Sequence, residues 1–413
     1  MTAARPVPLA LVEASIGLAG STMSLCTLVK RIDRERFAPH VIVARPEQEA
    51  YLRARLDPAI PIVRIVPRKG IKDGAWAGRG RLLRRLAALA DLAWVTLPYA
   101  LALRRVFRHR GIRLVHHNNG FDVATVLICW LLGLPLVAYQ RGKEWHSALV
   151  RRLAPLASRY VANSEATRED LLALGIMPDR VSVIYPPVDL GDFGGPAGDE
   201  LPEKPDGVPH FGIVGQLQEW KGQTVFLRAA RRVLERRPTA RAVVIGDAPH
   251  GGEAYAEELR SLARSLGIAD RVVFTGFVQD VPNALRQLDV VVHASIYPEP
   301  FGRVIVEAML VGRPVVATDA GGPREIIESG RTGFLVPPRD DAAMAEIIDR
   351  LLDDTRLAAD IVEAARREAT RRFSADEHAQ MVQSIYDSVL AAAGVPAQEP
   401  SPSAAVAKGD QHG

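Results

Sequence analysis

The sequence contains little cysteine and lacks the spacing of a metal-binding motif. Its 413 residues include two cysteines, Cys26 and Cys129, far apart and each in an apolar stretch with helical spacing. Such a pair gives neither a disulfide framework nor a zinc motif, and it is typical of a protein from a reducing compartment. We therefore expect a cytoplasmic protein that requires no metal. Two acidic pairs, Asp340-Asp341 and Asp353-Asp354, are interpreted as a helix N-cap and a helix end.

Long apolar runs are also scarce. The start of the chain, Met1 to Leu11, has too short an apolar run for a signal peptide. The stretch from Leu86 to Leu103 is the strongest candidate for a membrane span, but it contains Asp91 and Pro98 and is flanked by arginines. A spanning helix needs about 20 nearly unbroken apolar residues. The pattern therefore favours surface helices with arginine-rich ends.

The chain as a whole has no large net charge, but its charged residues are unevenly distributed along the sequence. Residues 1–195 carry 28 Lys+Arg against 16 Asp+Glu, whereas the whole chain has a net charge of only +4. This asymmetry is either a solubility pattern or a sign that the first half meets an anionic partner, such as a membrane surface or a phosphorylated acceptor. Because no recognition module or basic–aromatic stripe is present, we expect no nucleic-acid partner. The expected location is cytoplasmic, at the inner face of a membrane.

The length exceeds what one hydrophobic core usually supports, so two domains are expected. Short apolar runs rich in β-formers alternate with helical patterns, which predicts parallel sheets with helices on both faces. The predicted strands are 8–13, 40–44, 62–66, 113–116, 136–139, 160–162 and 181–185, then 211–214, 242–245, 272–275, 290–293 and 315–318. The predicted domains are residues 1–190 and 210–372, with a linker at 191–209, a closing helix at 373–394 and a disordered tail at 395–413.

The most specific motif is a pair of glutamates, Glu299 and Glu307, separated by seven residues. Pro300 excludes Glu299 from a helix, whereas Phe301-Gly302 can open one. Glu299 is then expected on a loop, free to reach a ligand, and Glu307 on a largely buried helix. A buried carboxylate needs partners, which sugar or ribose hydroxyls can supply. The alternative is a core helix in which the glutamate pairs with an arginine.

Two glycine-containing turns follow predicted strands. Gly215 ends the strand 211–214 and Lys221 lies six residues later, where a point charge could bind a diphosphate. Gly17, Gly20 and Ser21 stand at the first strand–helix junction, where free amides suit a phosphate. A surface lysine and glycines required only by turn geometry are the alternatives. The first turn is not the G-x-G-x-x-G fingerprint, so no nicotinamide cofactor is predicted.

With these motifs the chain resembles glycosyltransferase family 4, whose members are retaining enzymes of GT-B architecture, over nearly its whole length. The resemblance implies an α/β fold with two doubly wound Rossmann-like domains that face a central cleft. It also implies a closing helix that crosses back to the first domain. The sequences that carry it are Glu299 to Glu307, Gly215 to Gly222, Ala162 to Thr167, Val183 to Asp189, Gly246-Asp247 and Ala317 to Gly322.

The resemblance also assigns roles to the residues. It implies that Glu299 contacts the donor sugar, that Glu307 contacts the ribose, and that Lys221 binds the diphosphate and stabilises the leaving group. The donor would be a UDP- or GDP-sugar, with no cofactor, and the acceptor a glycan, a lipid-linked molecule or another anionic molecule in polysaccharide or envelope-glycan synthesis. The remaining donor contacts would come from Gly20, Ser21, Gly215, Phe277, Val278, Phe301, Gly302, Arg303 and Val304.

Two positions depart from the family pattern. Gln216 stands where an arginine is usual, and Arg141 is a candidate to replace that cation. Asn118 stands where many members have the second histidine of a His-x-His motif; it can position a hydroxyl but cannot act as a base. His117 is a further catalytic candidate, with a structural histidine as the alternative. The two departures keep open a non-catalytic nucleotide- or glycan-binding partner, and a nucleotide-sugar epimerase is a further alternative on the same fold.

Overall fold

The computed structural model describes residues 5–15, 20–68, 90–120, 122–142, 148–189, 204–248, 251–278 and 280–395. These residues divide into two compact units. Unit 1 comprises the described residues within Met1–Asn163, Thr167–Ile184 and Ala375–Gly413, and unit 2 those within Ser164–Ala166 and Tyr185–Ser374. Each unit has its own sheet and its own hydrophobic core.

In unit 1 the described strands form one parallel sheet in the order β3-β2-β1-β4-β5-β6-β7. They are β1 Val7–Glu13, β2 Phe37–Val43, β3 Ile62–Arg64, β4 Leu114–His117, β5 Leu136–Gln140, β6 Arg159–Ala162 and β7 Val181–Val183. The helices between them are α1 Gly20–Arg31, α2 Pro46–Arg53, α3 Leu97–His109, α4 Val123–Leu132, α5 Ala148–Leu153 and α6 Glu165–Ala173. A π-helical turn, Leu92–Thr96, leads into α3.

In unit 2 the described strands form a second parallel sheet in the order β10-β9-β8-β11-β12-β13. They are β8 His210–Val214, β9 Arg241–Ile245, β10 Val272–Gly276, β11 Val290–His293, β12 Val315–Thr318 and β13 Phe334–Val336. The helices are α7 Gln223–Arg236, α8 Glu253–Ser265, α9 Val281–Arg286, α10 Arg303–Leu310, α11 Pro323–Ile326, α12 Asp341–Asp353 and α13 Thr355–Arg372.

The final helix, α14 Ala375–Ala392, belongs to unit 1 and packs beside α1. It joins the core on one face of the sheet, together with Leu9 and Leu11, whereas Ala10 and Val12 face the core on the other side. Alternate residues of a strand point to opposite faces, and a sheet covered on both faces requires apolar residues at every position. The apolar run of β1 meets this requirement.

Both sheets reverse their strand order at their centre, between β1 and β4 in unit 1 and between β8 and β11 in unit 2. In doubly wound sheets the connections leave such a pair in opposite directions, which opens a crevice at the carboxyl ends of the two strands. The residues that follow β1, β4, β8 and β11 are therefore the first place to look for a ligand site. The predicted fold class, two doubly wound Rossmann-like domains, is confirmed.

Several details differ from the sequence predictions. The short strand β13 and the helix α13 lie outside the predicted set, because Asp353-Asp354 suggested only a helix end. Asp354 also caps the start of α13, since its carboxylate accepts a hydrogen bond from the Leu357 amide. No helix in the described part of the chain combines the length and the apolar character needed to cross a bilayer. Residues 86–89 of the apolar stretch, 191–203 of the predicted linker and 396–413 of the tail lie outside the described residues.

Candidate functional site

The centre of the candidate site in unit 2 is the carboxylate of Glu299, which follows β11. Its Oε1 atom accepts a hydrogen bond from Lys221 Nζ at 2.6 Å. Its Oε2 atom lies 2.6 Å from His293 Nε2 and accepts a hydrogen bond from Ser295 Oγ at 2.7 Å. The site thus joins the carboxyl ends of β8 and β11, the pair at which the strand order reverses.

Close packing at glycines fixes this geometry. Lys221 ends a short 3-10 turn, and Gly222 follows with a φ of 73°. A Cβ atom on Gly222 would lie 1.9 Å from the Ala294 carbonyl oxygen, so this turn can rest on the end of β11 only without a side chain. On the other side Gly321, with a φ of 67°, forms a backbone bridge with Glu299. The lysine and the glutamate are therefore held by their backbones as well as by their ion pair.

The charges around Glu299 favour its ionised form. Burial alone would raise the pKa of this carboxyl, but the charges of Lys221 and His293 and their hydrogen bonds hold the pKa far below its usual range. Glu299 lies on the loop before α10, as the sequence predicts, but its side chain is buried and the residue is only 9% exposed. Its bridge to Gly321 and its three side-chain partners account for the burial. The site presents a fixed negative group beside a lysine.

The second glutamate of the motif lies on α10 and is also buried. Glu307 is 8% exposed, and its Oε1 atom accepts a hydrogen bond from Arg303 Nε at 2.6 Å, one helical turn away. This is the arginine pair that the sequence left as an alternative. Both residues face one side of α10, because residues four apart on a helix are neighbours. The predicted helix start at Phe301-Gly302 is nearly right, since Gly302 is the N-cap and α10 begins at Arg303.

The remaining predicted donor contacts lie on neighbouring loops. Gly215 follows β8, and its amide donates to the Ile245 carbonyl; Gln216 is exposed. Phe301 is buried, and Val304 in the first turn of α10 is partly buried. Two further predicted residues follow β10 at the same edge of the sheet: Phe277 is exposed and Val278 is buried.

Unit 1 has a polar cluster at the equivalent position, between the carboxyl ends of β1 and β4. Asn118 is fully buried, and its Nδ2 atom donates to Glu13 Oε2 and to the Ser21 carbonyl. Arg141 Nη2 donates to Asn118 Oδ1 at 3.0 Å, and Arg141 Nε donates to the Asn118 carbonyl at 2.8 Å. Asn118 therefore organises its neighbours within the cluster. Of the predicted first turn, Gly20 opens α1 beside Ser21, whereas Gly17 lies outside the described residues.

His117 contacts a different partner, at the start of α4. Its Nε2 atom lies 2.8 Å from Asp122 Oδ2, and the same carboxylate caps α4 by accepting from the Thr125 amide. Burial opposes the protonated ring, but the hydrogen bond and charge of Asp122, with the charge of Glu13, raise the pKa of His117 above its ordinary value. The imidazole is held in one orientation by a carboxylate, which suits either a structural or a proton-transferring role.

Four residues of these clusters lie outside the predicted set: Glu13, Asp122, His293 and Ser295. A positional signal exists for two of them, because Glu13 and His293 are the last residues of β1 and β11, where the strand order reverses. Charged or polar residues at the end of an otherwise apolar strand are therefore informative once the topology is known. Among the described residues, no group of three or more histidine, cysteine or acidic side chains could hold a metal ion.

The curated relatives of this chain include several proteins named D-inositol 3-phosphate glycosyltransferase. The protein of that name from Salinispora arenicola is 36% identical over 261 residues, which cover 59% of this chain and 57% of the relative. The one from Streptomyces avermitilis is 32% identical over 252 residues, 58% of this chain and 54% of the relative. The chain thus spans a little more than half the length of the curated relatives it matches.

Among solved structures, Anabaena HepE in complex with UDP and glucose matches with a TM-score of 0.75 and 27% identity, over 92% of this chain and 99% of that one. A glycosyltransferase from Rickettsia africae shares the fold, with a TM-score of 0.75 at 20% identity, over 93% and 99% of the two chains. Residues 18–192 match the family model "Glycosyltransferase Family 4", and residues 200–368 match "Glycosyl transferases group 1". With both halves matched and two Rossmann-like units present, the chain belongs to glycosyltransferase family 4, of the GT-B type.

Proposed function

We propose that this chain is a retaining, metal-independent glycosyltransferase that takes a sugar from a nucleotide-diphosphate donor. The observation that carries the proposal is the ionised Glu299, held between Lys221 and His293 at the reversal of strand order in unit 2. A charged lysine and a carboxylate with a fixed orientation are the two groups needed to bind a diphosphate and the hydroxyls of a sugar.

In this proposal the donor lies along the carboxyl edge of the unit 2 sheet. Glu299 accepts hydrogen bonds from sugar hydroxyls, Lys221 binds the diphosphate, and Glu307 exchanges part of its contact with Arg303 for the ribose hydroxyls. Amides at the start of α10, at Arg303 and Val304, contact phosphate oxygens. The donor is a UDP- or GDP-sugar, and the UDP and glucose in the HepE complex support testing UDP-glucose first.

The proposed reaction breaks the bond between the anomeric carbon and the donor phosphate oxygen. The acceptor oxygen forms its bond to the same face of that carbon, and its proton passes to the leaving phosphate oxygen. Lys221 stabilises the negative charge that develops on the diphosphate. Asn118 and Arg141 organise the end of β4, and His117 remains a candidate for contact with the acceptor. No step requires a metal or a cofactor.

We further propose an anionic or membrane-associated acceptor, a glycan or a lipid-linked molecule used in envelope-glycan synthesis. The excess of basic residues in the first half of the chain supports this, since residues 1–195 carry 28 Lys+Arg and 16 Asp+Glu. The curated relatives are named D-inositol 3-phosphate glycosyltransferase, and this name supports a phosphorylated acceptor. Such a protein would work in the cytoplasm, at the inner face of the membrane.

The decisive experiment replaces Glu299 with glutamine, which keeps the shape and removes the charge. We expect transfer from UDP-glucose or GDP-mannose to fall by about 10²–10³-fold, the typical effect of losing one preorganised polar group. Glu328→Gln is the matched control, because Glu328 is an exposed glutamate of the same unit whose carboxylate pairs with Arg331. Normal turnover in Glu299→Gln with an unchanged fold would contradict the proposal.

Product analysis separates the other functions on this fold. A nucleotide-sugar epimerase would change the sugar on the nucleotide without any acceptor, whereas a non-catalytic partner would bind the nucleotide and release no product. Transfer with retained anomeric configuration, measured by NMR of the product, is the result expected here. Inverted configuration would leave a glycosyltransferase but contradict the retaining mechanism.

A further inference from the structure

One face of α3 and the turn before it exposes apolar side chains in a row. Trp94, Leu97 and Leu101 are 53%, 54% and 53% exposed, and the same spacing continues to Arg105 and Arg108, which are also exposed. Steps of three and four residues place side chains on one face of a helix. We call these five residues the α3 stripe.

The opposite face of α3 already supplies the packing that this helix needs. Ala100, Leu103 and Phe107 are buried in the core on one side of the unit 1 sheet. The apolar residues of the α3 stripe therefore do not contribute to the hydrophobic core of unit 1. A solvent-facing helix surface is normally polar, and a contiguous apolar patch usually marks an interaction surface.

Neighbouring residues extend this character. The Arg68 guanidinium lies 4.4 Å from the centre of the Trp94 ring, so an exposed cation stacks on an exposed aromatic. Helix α4 packs beside α3, and its last turn contains Trp130 and Leu131, which are 60% and 64% exposed. Both helices lead into the amino end of a strand, β4 or β5, so Trp130 and Leu131 lie at the same edge of the sheet as Arg105 and Arg108.

The segment that follows Asp91 is basic. Residues 92–113 contain five arginines, at 104, 105, 108, 110 and 113, and no acidic residue. Tryptophan and leucine beside arginine is the composition of surfaces that lie in the headgroup region of an anionic bilayer, where the rings enter the acyl boundary and the guanidinium groups meet phosphates. A protein partner with a purely apolar surface would leave these arginines without counter-charges.

We propose that the α3 stripe, with Trp130 and Leu131, is the surface by which this protein docks on an anionic lipid bilayer. The apolar residues insert at the headgroup boundary, and the arginines bind lipid phosphates. This inference rests on the membrane location proposed above and goes further, because it assigns that location to named residues and to insertion as well as to charge.

The test measures co-sedimentation of the full chain with phosphatidylcholine vesicles, with and without phosphatidylglycerol. We expect binding only to vesicles with phosphatidylglycerol. The triple variant Trp94→Ser, Leu97→Ser, Leu101→Ser should bind at least about tenfold more weakly, since it loses the inserting side chains. Arg105→Gln with Arg108→Gln should also weaken binding and reduce its dependence on salt. Met177→Ser, at a 61% exposed methionine outside these helices, is the matched control.

Thermal unfolding and transfer to a soluble acceptor check each variant, and the exposed positions should leave both unchanged. If the wild type binds no vesicle, the membrane location and this inference fail together, while transfer activity still decides the enzymatic proposal. If the wild type binds phosphatidylglycerol vesicles and the triple variant binds equally well, the inference alone is overturned. A wild-type dimer in light scattering that becomes a monomer in the triple variant would assign the stripe to a second copy of the chain and overturn the proposal as well.

Discussion

At the scale of single residues, the buried ion pair between Glu299 and Lys221 needs an explanation other than stability. A buried ion pair gains little stability, because the loss of hydration offsets much of the attraction between the charges. Glu299 nevertheless has three polar partners within 2.7 Å. A carboxylate fixed at this cost is better explained by a ligand that it must meet in one orientation.

Lys221→Met should weaken the binding of UDP or GDP by about 10–100-fold, the usual value of one charge-assisted contact. The variant should also lower the unfolding temperature without ligand, since it leaves Glu299 with one cation fewer. Isothermal titration calorimetry and a thermal scan measure the two effects. Lys204→Met is the matched control. Lys204 also belongs to unit 2 and pairs with a carboxylate at 2.6 Å, but its partner, Asp289, lies at the opposite end of β11 from Glu299. Equal nucleotide affinity in Lys221→Met and Lys204→Met would contradict the role of Lys221.

The sequence alone predicted Glu299 and Glu307 from one motif and Lys221 from a separate glycine turn, and the structure brings Lys221 into contact with Glu299. The sequence did not identify Glu13 or His293, whose importance depends on which strands are neighbours in the sheet. It also contains no sign that Glu299 is buried: the proline after it excludes a helix, but nothing local indicates that Gly321 packs against its backbone. Contacts between residues distant in the chain are set by tertiary packing, which spacing does not encode.

At the scale of elements, the turn that places Lys221 depends on the absence of a side chain at Gly222. Gly222→Ala should destabilise unit 2 by several kcal/mol, because the new Cβ would collide with the Ala294 carbonyl and strain the backbone as well. Gly207→Ala is a close control: Gly207 has the same φ of 73° but open space around it, so only the backbone strain of about 1 kcal/mol is expected. Chemical denaturation measures both values, and equal costs would show that the contact with β11 is dispensable.

Helix α14 is fixed to the unit 1 sheet by buried aromatic and histidine side chains. Tyr386 Oη lies 2.7 Å from His116 Nδ1, and Tyr139 Oη lies 3.3 Å from His378 Nε2. Burial, with the charge of Arg141, lowers the pKa of His116 to about 3 and the pKa of His378 well below its ordinary value. Both rings therefore stay neutral in the folded protein at mildly acidic pH.

This arrangement predicts a loss of stability in acid. The unfolded chain has a histidine pKa of about 6.5, and above this pH a buried neutral histidine does not reduce the free energy of unfolding. Below it the unfolded chain binds a proton that the folded protein does not, so the free energy of unfolding falls as the pH drops toward the folded pKa. For His116 the cost at pH 5 is about 2 kcal/mol, at about 1.4 kcal/mol per pH unit, and His378 adds a cost in the same direction. His378→Phe should remove its share of the acid sensitivity between pH 6.5 and 5, measured by denaturation at each pH. Met381→Phe, at a 41% exposed position of the same helix, removes no titrating group and should keep the acid sensitivity.

Most elements were predicted because each strand is a short apolar run and each helix has its own period. The predicted closing helix, 373–394, corresponds to α14, Ala375–Ala392. Strand β13 and helix α13 are among the elements that were not predicted. Strand β13 has three residues, and α13 follows α12 after the single residue Asp354, so the break between two helices reads as the end of one.

At the scale of the whole molecule, the two units share one architecture but differ in charge and in the groups at their strand ends. Unit 2 places a lysine and two glutamates at its sheet edge, whereas the cluster of unit 1 joins Glu13, Asn118 and Arg141. We therefore expect the two units to bind different ligands: unit 2 should bind the donor nucleotide, and the basic first half of the chain should bind the acceptor and the membrane.

Hydrogen exchange with and without UDP tests this division. We expect protection in unit 2 at residues 215–222 and 293–307, because the proposed ligand contacts lie after β8 and β11, and little change in β1, β4 or α14. UDP at about 100 times its dissociation constant should stabilise its site by about 2.7 kcal/mol. That raises the unfolding temperature of a unit of this size by roughly 5–11 °C, at about 2–4 °C per kcal/mol. Glu328→Gln should reproduce this shift, and Lys221→Met should lose most of it. Protection centred on Glu13 and Asn118 instead would place the nucleotide in unit 1 and reverse the assignment of the two units.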